Sequence, residues 1–229
     1  MTRAELLAAA AATAVPSLRT PGPSGMTADV SLSREGSALL APFLVSIALH
    51  NNTKNVIRLR FPTTDLFRID VLRDDTPVWS SLTGHKPINI TRQIDVTPGP
   101  LKLAQQLVDG TTDDHRAYAP GKYTVRVAMM AVNFGVVVDK TIGFDPPDTI
   151  AKALEVKAGT IITIAGEPYV DNGPRLRDDT GSIRLSRGLG LRATGRWVMR
   201  GFLDALGDER VFDVGRSAPA YENGPSPAP

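Results

Sequence analysis

Hydrophobic and polar residues alternate along much of the chain between residues 43 and 144, and this pattern predicts β-strands. In the segment FLVSIALH, Phe43, Val45, Ile47 and Leu49 fall on one side of an extended backbone. The segments VIRLRF, LFRIDVLR and KYTVRVAM repeat the alternation. A period of two residues is typical of a strand with one buried and one solvated face. Each of these segments is therefore expected to form one strand of an antiparallel sheet.

Short polar turns separate the predicted strands. Their sequences are NNTKN, PTTD, RDDTP, DG and PGK, which contain the residues that favour tight chain reversals. About seven or eight short strands at this spacing are typical of two antiparallel sheets packed face to face. The sequence thus predicts a β-sandwich domain over residues 28–144.

The sequence GFDPPDT predicts a linker at residues 145–149. Pro146 and Pro147 stiffen the chain and remove two backbone hydrogen-bond donors. Beyond them, TIAKALE is expected to form a short helix with Asp148 as its cap. A second domain is expected over residues 150–217.

Strand patterns return after this helix and predict a small barrel. The segments IITIAG and WVMRG each end an apolar alternation with a glycine, Gly166 and Gly201, as strands do where they bend at a barrel corner. Between them, RLRDDTGSIRL predicts a hairpin with leucine and isoleucine inward and arginine outward. With RVFDVG as the closing strand, the series resembles an OB-fold. The hairpin looks like the second and third strands of nucleic-acid-binding OB modules.

The segment HNNTKNVIRLRFPTTDLFRIDVLRDDTPVWSSLTG carries an ordered series of motifs. These are an Asn-Thr turn, a strand ending in Phe61, a Thr-Thr turn, an alternating strand from Phe67, and Val-Trp-Ser around Trp79. Together with PGKYTV, which contains Gly121 and Tyr123, the series resembles the BsuPI-type intracellular proteinase inhibitor domain. Arg68 and the segment TPGPLKL depart from the family pattern.

This resemblance implies an immunoglobulin-like sandwich and, by the family's name, proteinase inhibition. The family-like residues Phe61, Phe67, Trp79, Gly121 and Tyr123 are expected to serve the structure, and Trp79 is interpreted as a core residue. An inhibitor would need an exposed loop that enters a protease cleft. The best candidate is SLTGHKPINITRQ, a long loop with a lysine before a proline.

Charge is concentrated locally rather than spread over the chain. There are 26 basic and 24 acidic residues, so the net charge of +2 is too small to make the whole chain a polyanion binder. From Arg175 to Arg200, however, there are seven arginines and two aspartates. This stretch is either a solvated arginine face or an anion site, and the candidate binding residues are Arg175, Arg177, Arg184, Arg187 and Tyr169. Nucleic acid is the less favoured ligand because base stacking needs more aromatic platforms.

Catalytic and metal-binding motifs are not found in the sequence. The chain has no cysteine, and His50, His85 and His115 lie in separate segments. There is no nucleophile elbow and no glycine-rich phosphate loop. We therefore expect no enzyme, no metal site and no cofactor.

Both ends of the chain differ in composition from the predicted domains. MTRAELLAAAAATAVPS has the basic start, apolar middle and small-residue exit of a secretory signal, so residues 1–27 are interpreted as a signal-like or disordered segment. The alternative is a translation start at Met26. The apolar run is shorter than the ~20 residues of a membrane helix, so no membrane span is expected. Residues 218–229 are rich in proline and are expected to be disordered.

These observations favour a non-catalytic binding or protein-interaction protein, exported to the bacterial envelope, with an unidentified protein or an envelope polymer as partner. A cytoplasmic location is the alternative. Two other functions stay open: proteinase inhibition through a loop of the sandwich, and binding of nucleic acid or another polyanion through the arginine-rich barrel.

Overall fold

The computed structural model describes residues 25–34, 37–188, 194–207 and 209–221, and its regular structure is almost entirely β-strand, as predicted. The first nine strands belong to the predicted sandwich. They are β1 (Met26–Arg34), β2 (Phe43–Asn51), β3 (Ile57–Phe61), β4 (Phe67–Arg73), β5 (Thr76–Ser80), β6 (Arg92–Val96), β7 (Gly99–Val108), β8 (Gly121–Met129) and β9 (Val137–Phe144).

These strands form three antiparallel sheets around one core. One sheet has the order β1-β2-β7, a second has the order β5-β4-β8-β9, and β3 pairs with β6. The predicted inward residues of β2 and β8 are buried, among them Phe43, Val45, Val125 and Val127. The β-sandwich and the period-two strand assignments are therefore confirmed.

The rest of the chain forms a short helix and a closed five-stranded barrel. The elements are α1 (Ile150–Glu155), β10 (Ile161–Val170), β11 (Pro174–Asp178), β12 (Gly181–Leu185), β13 (Trp197–Leu206) and β14 (Glu209–Pro219). The strand order around the barrel is β10-β11-β12-β14-β13, with β12 and β14 parallel and the other pairs antiparallel. If the five barrel strands are numbered by their order in the sequence, they follow one another around the barrel as first, second, third, fifth and fourth. This is the Greek-key arrangement of an OB-like barrel.

The two predicted corner glycines lie where barrel strands change direction or partner. At Gly166, β10 leaves its pairing with β13 and begins to pair with β11. A Cβ atom at Gly166 would overlap the carbonyl oxygen of Arg177. At Gly201 the pairing of β13 with β14 shifts register, and a Cβ atom there would overlap the carbonyl oxygen of Asp213. The chain needs glycine at both positions because neighbouring backbone fills the space of a side chain.

The buried side chains fall into two clusters, one in the sandwich and one in the barrel. The barrel cluster includes Leu176, Ile183, Leu185 and Phe212 and is closed at one end by Ile150 of α1. Three small or apolar barrel residues instead join the sandwich cluster: Ala165, Val198 and Ala218. The two halves therefore share an apolar contact in addition to the linker. The division into two domains remains a prediction.

Three details of the predicted boundaries are wrong. Met26, assigned to the N-terminal segment, is buried and begins β1. Ala218, assigned to a disordered tail, is buried within β14. The cap of α1 is Thr149, whose hydroxyl accepts from the backbone N–H of Lys152; Asp148 instead binds the Lys152 ammonium group. Residues 1–24 and 222–229, which contain most of the signal-like segment and the tail, lie outside the described residues.

Candidate functional site

Three loops lie together at one end of the sandwich, and we call this surface the loop end. It comprises residues 62–66, 81–91 and 130–136. The backbone N–H of Thr64 donates to the carbonyl oxygen of Ile88 (3.1 Å), which joins the first loop to the second. The N–H of Met130 donates to the carbonyl oxygen of Leu66 (3.0 Å), which joins the third loop to the first. The three loops therefore support one another.

Asn133 fastens the third loop to the outer edge of β3. Its side-chain oxygen accepts from the backbone N–H of Arg60 (3.0 Å), and its side-chain nitrogen donates to the carbonyl oxygen of Arg58 (2.8 Å). The N–H of Val132 also donates to the carbonyl oxygen of Arg60 (2.9 Å). An amide side chain thus replaces a neighbouring strand and satisfies backbone groups that an edge strand would leave open.

Two aspartates anchor the second loop, one through His85 and the other through Thr83. The Nε2 atom of His85 lies 3.1 Å from a carboxylate oxygen of Asp65 in the first loop. At the start of the second loop, the hydroxyl of Thr83 donates to the carboxylate of Asp113 (2.5 Å). The acid that contacts His85 therefore comes from a different loop. The two residues are 20 positions apart, and no local sequence pattern joins them.

The loop end exposes aliphatic side chains between these anchors. Every residue from 83 to 93 is exposed, and Ile88, Ile90 and Val132 have 56%, 58% and 58% of their surface accessible. Large apolar side chains grouped on loops are uncommon on a surface without a partner. They mark the loop end as a candidate contact surface.

Exposed basic residues flank the two isoleucines in the sequence. Arg60, Lys86 and Arg92 are exposed, and none of them makes an ion pair with a described residue. By contrast, Arg58 binds Asp95 through two hydrogen bonds of 2.6 and 2.8 Å, which lower the pKa of that carboxyl below its usual range. The three loops contain one lysine, Lys86, and one carboxylate, Asp65, and the carboxylate of Asp113 contacts Thr83 at the start of the second loop. A small excess of positive charge at this end therefore comes from Arg60 and Arg92 in the adjoining strands β3 and β6.

The predicted arginine face of the barrel is present but largely neutralised. Arg175 and Arg184 lie opposite each other on β11 and β12, and both bind the carboxylate of Glu209 at 2.8 and 3.0 Å. Glu209 begins β14, which lies next to β12 in the barrel. The sequence stretch that suggested a positive groove did not include this glutamate, because strand pairing alone brings it there.

The other candidate residues of the barrel are also engaged. Arg177 lies 3.5 Å from the carboxylate of Glu167, and its guanidinium lies 5.5 Å from the ring centre of Tyr169. Arg187 donates two hydrogen bonds to the carbonyl oxygen of Val214 and so ties the end of β12 to β14. The structure thus places Tyr169 and three of the arginines on one face, whereas Arg187 has a structural partner.

A shallow cavity of about 310 Å³ lies beside this face. Its charged lining residues are Glu167, Arg177, Asp178, Asp179 and Arg196. Three carboxylates and two guanidinium groups give no net attraction for a polyanion. The cavity therefore adds no support to nucleic-acid binding.

The acidic turn between β11 and β12 caps α1. The carboxylate of Asp178 accepts from the backbone N–H of Ile150, and the hydroxyl of Thr180 accepts from the N–H of Ala151. A helix start leaves several such donors unsatisfied. The turn therefore has a structural role that its sequence alone did not reveal.

The family-like residues of the sandwich are distributed between core and periphery. Phe61 and Tyr123 are buried, whereas Phe67 and Trp79 are half-buried and pack against the core from its edge. Gly121 begins β8 with φ of 139°, a backbone angle that favours glycine. All five contribute to packing or to a turn, but their agreement with the family pattern does not identify a binding surface.

Neither a metal-binding group nor a membrane-spanning helix is present in the part of the chain that the structure describes. No group of three or more histidine or acidic residues there is arranged to hold a metal ion. None of the described helices has the length and apolar character needed to cross a membrane.

No protein-family model matches the chain, and no curated protein matches it. The resemblance to the BsuPI-type domain therefore rests on the sequence motifs alone.

Proposed function

We propose that this protein is a non-catalytic protein-binding module and that the loop end is its contact surface. The observation that carries the proposal is the exposure of Ile88, Ile90 and Val132 on loops that are fastened to one another. Burial of apolar surface is the main favourable contribution to most protein association. The signal-like N-terminal sequence favours the bacterial envelope as the place where this binding occurs.

Fastening of the loops supports this role because it reduces the entropy lost on binding. A loop that is free in solution must be ordered when its partner binds, and this ordering weakens the affinity. Here the second loop is held by His85 at one point and by the carbonyl oxygen of Ile88 at another. The isoleucines are therefore presented on a partly preorganised backbone.

A photo-crosslinking experiment tests the proposal. A photoreactive amino acid placed at Asn89 should capture a discrete partner in native cells, whereas the same group at Ser31 on β1 should not; both positions are exposed. Adding Ile88→Asp and Ile90→Asp should remove the crosslink without lowering the melting temperature, because both side chains are already in water. Equal capture from Asn89 and Ser31 would count against the loop end.

Proteinase inhibition is the second candidate, and the exposed run from residue 83 to residue 93 supports it. A protease cleft takes an extended, accessible loop that is held at its flanks, and Thr83 and His85 hold this one. The test is a panel of serine proteases assayed with the intact chain and with Lys86→Asp. Inhibition that the substitution abolishes would identify the protease as the partner of the loop end. If no protease is inhibited, proteinase inhibition is contradicted and the proposal of a different protein partner is retained.

A further inference from the structure

We infer that the partner of the loop end presents an acidic segment that also carries aliphatic side chains. The inference rests on the proposed function and adds the chemistry of the partner. It follows from the combination of exposed isoleucines with a basic rim at the same end of the sandwich.

The basic rim is available to a partner. Arg60, Lys86 and Arg92 make no ion pair with a described residue, whereas Arg126 on the outer face of β8 is held by Asp139 through two hydrogen bonds of 2.9 Å. Arg58 and Arg68 are likewise matched by neighbouring acids. Arg60, Lys86 and Arg92 are not, so an acidic partner can supply the complementary charge.

The position of the rim fits a contact centred on the isoleucines. Lys86 precedes Ile88 by two residues in the second loop, and Arg92 follows Ile90 by two. Arg92 pairs with Phe61 at the end of β3, one residue beyond Arg60 along that strand, so the side chains of Arg60 and Arg92 leave opposite faces of the β3–β6 pair. Charges on both sides of an apolar centre are the usual arrangement of a protein interface, with a polar rim around a dehydrated core.

A nucleic acid fits this surface less well than an acidic peptide. The exposed side chains of the three loops include no phenylalanine, tyrosine or tryptophan on which a base could stack, and the imidazole of His85 is held by Asp65. Aliphatic side chains in the centre of the surface gain little from a phosphate backbone but gain from leucine, isoleucine or valine. The partner is therefore a protein segment.

Selection of peptides on the intact chain tests the inference. A phage-displayed library of random peptides is selected on the wild-type protein, and the affinities of enriched peptides are then measured by fluorescence anisotropy. We expect enrichment of peptides that combine acidic and aliphatic residues. The double substitution Lys86→Glu with Arg92→Glu should weaken their binding about tenfold, because each change replaces an attraction for an acidic peptide by a repulsion.

A matched charge reversal away from the loop end provides the control. Lys102 on β7 and Lys122 at the start of β8 are both exposed. Lys102→Glu with Lys122→Glu changes the net charge by the same amount and should leave the affinities within about twofold, because surface charges beyond the Debye length are screened. A circular dichroism spectrum and melting temperature equal to those of the wild type confirm that each variant is folded.

The outcomes separate this inference from the proposed function. The selected peptides could instead be neutral or basic, with binding that requires Ile88 and Ile90 but does not change in the Lys86→Glu, Arg92→Glu variant. That result would contradict the inference of an acidic partner and would still support the loop end as the contact surface. Failure to recover any peptide that depends on the isoleucines would contradict both. Binding of single-stranded DNA that the rim reversal abolishes, with no acidic peptide selected, would assign the surface to nucleic acid instead.

Discussion

The carboxylate of Asp178, in the turn between β11 and β12, accepts a hydrogen bond of 2.8 Å from the backbone N–H of Ile150, the first residue of α1. The same carboxylate also accepts from the hydroxyl and N–H of Thr180 and from the N–H of Gly181. One side chain thus shapes the hairpin turn and fixes the helix that covers the end of the barrel core.

Removing this carboxylate should destabilise the barrel. Asp178→Ala is expected to lower the free energy of unfolding by about 1–3 kcal/mol, because it leaves donors of the turn and of α1 unsatisfied. Urea denaturation monitored by circular dichroism measures the change. The neighbouring Asp179 is exposed, and Asp179→Ala should cost less than about 0.5 kcal/mol. Equal losses from the two substitutions would contradict the structural role.

The contribution of Asp178 should also depend on pH. Burial acts to raise the pKa of this carboxyl, but the hydrogen bonds from Thr180, Ile150 and Gly181 outweigh it, so the pKa lies below its usual value. The folded state therefore binds the proton less tightly than the unfolded chain, and the stabilisation is full above the unfolded pKa of about 4. The stability difference between wild type and Asp178→Asn should be constant near neutral pH and shrink as the pH falls through the folded pKa. A difference that does not change on acidification would contradict this.

The barrel corners should not tolerate a side chain. Gly166→Ala and Gly201→Ala are each expected to lower the free energy of unfolding by about 1–3 kcal/mol, because the added methyl group overlaps backbone of the adjacent strand. Gly181 is a matched control in the same barrel, since a Cβ atom there would meet only a methyl group of Ile150 at an ordinary 3.7 Å. Thermal unfolding of the three variants gives the comparison. A Gly181→Ala variant as unstable as the other two would show that the effect is not steric.

Two tyrosines in the sandwich core should respond differently to loss of the hydroxyl. The Tyr118 hydroxyl is buried with no hydrogen-bond partner among the described residues, and burial raises its pKa far above the usual value. The Tyr123 hydroxyl donates to the carbonyl oxygen of Ala119 (2.8 Å). Tyr118→Phe should therefore leave stability unchanged or raise it by up to about 1 kcal/mol, whereas Tyr123→Phe should lower it by about 0.5–1.5 kcal/mol. Similar losses from both, measured by chemical denaturation, would indicate a partner for Tyr118.

Glu209 should control whether the barrel binds polyanions. Glu209→Gln keeps the size of the side chain but removes the charge that faces Arg175 and Arg184. If the arginine face has any affinity for single-stranded DNA or heparin, this variant should bind more tightly than the wild type. The slope of log affinity against log salt concentration should steepen by about one unit for each arginine released. No binding by either protein at physiological salt would leave the arginines as a solvated face. Binding by the wild type that Glu209→Gln weakens would contradict neutralisation.

The strands could be predicted from the sequence because burial of a strand face repeats every two residues. Leu176 and Ile183 are inward, as expected, and the flanking arginines are outward. Partners from distant segments could not be predicted in this way. Glu209 reaches the arginines through the parallel pairing of β12 with β14, and Asp65, before β4, reaches His85, after β5, where these two strands pair. Such contacts depend on strand order, which alternation does not encode.

The loop end was only partly predictable for the same reason. The length and composition of SLTGHKPINITRQ indicated an exposed loop, and residues 83–93 are exposed. The sequence did not indicate that residues 62–66 and 130–136 meet this loop. Apart from the contact between His85 and Asp65, the loops are joined by single backbone hydrogen bonds, such as that from Met130 to Leu66, which carry no side-chain signature.

The last strand of the barrel also bears on how the protein assembles during synthesis. The carbonyl oxygen of Pro219 accepts from the backbone N–H of Ala117, and the Tyr221 ring lies 5.7 Å from the guanidinium carbon of Arg73 in the sandwich. The sandwich strands precede the barrel strands in the chain and therefore leave the ribosome first. The end of the chain that covers Arg73 and Ala117 is translated last. Until then this surface stays exposed and the barrel lacks β14, its closing strand. Barrel closure and these contacts with the sandwich therefore both depend on the last strand, and a chain that stalls before β14 lacks both.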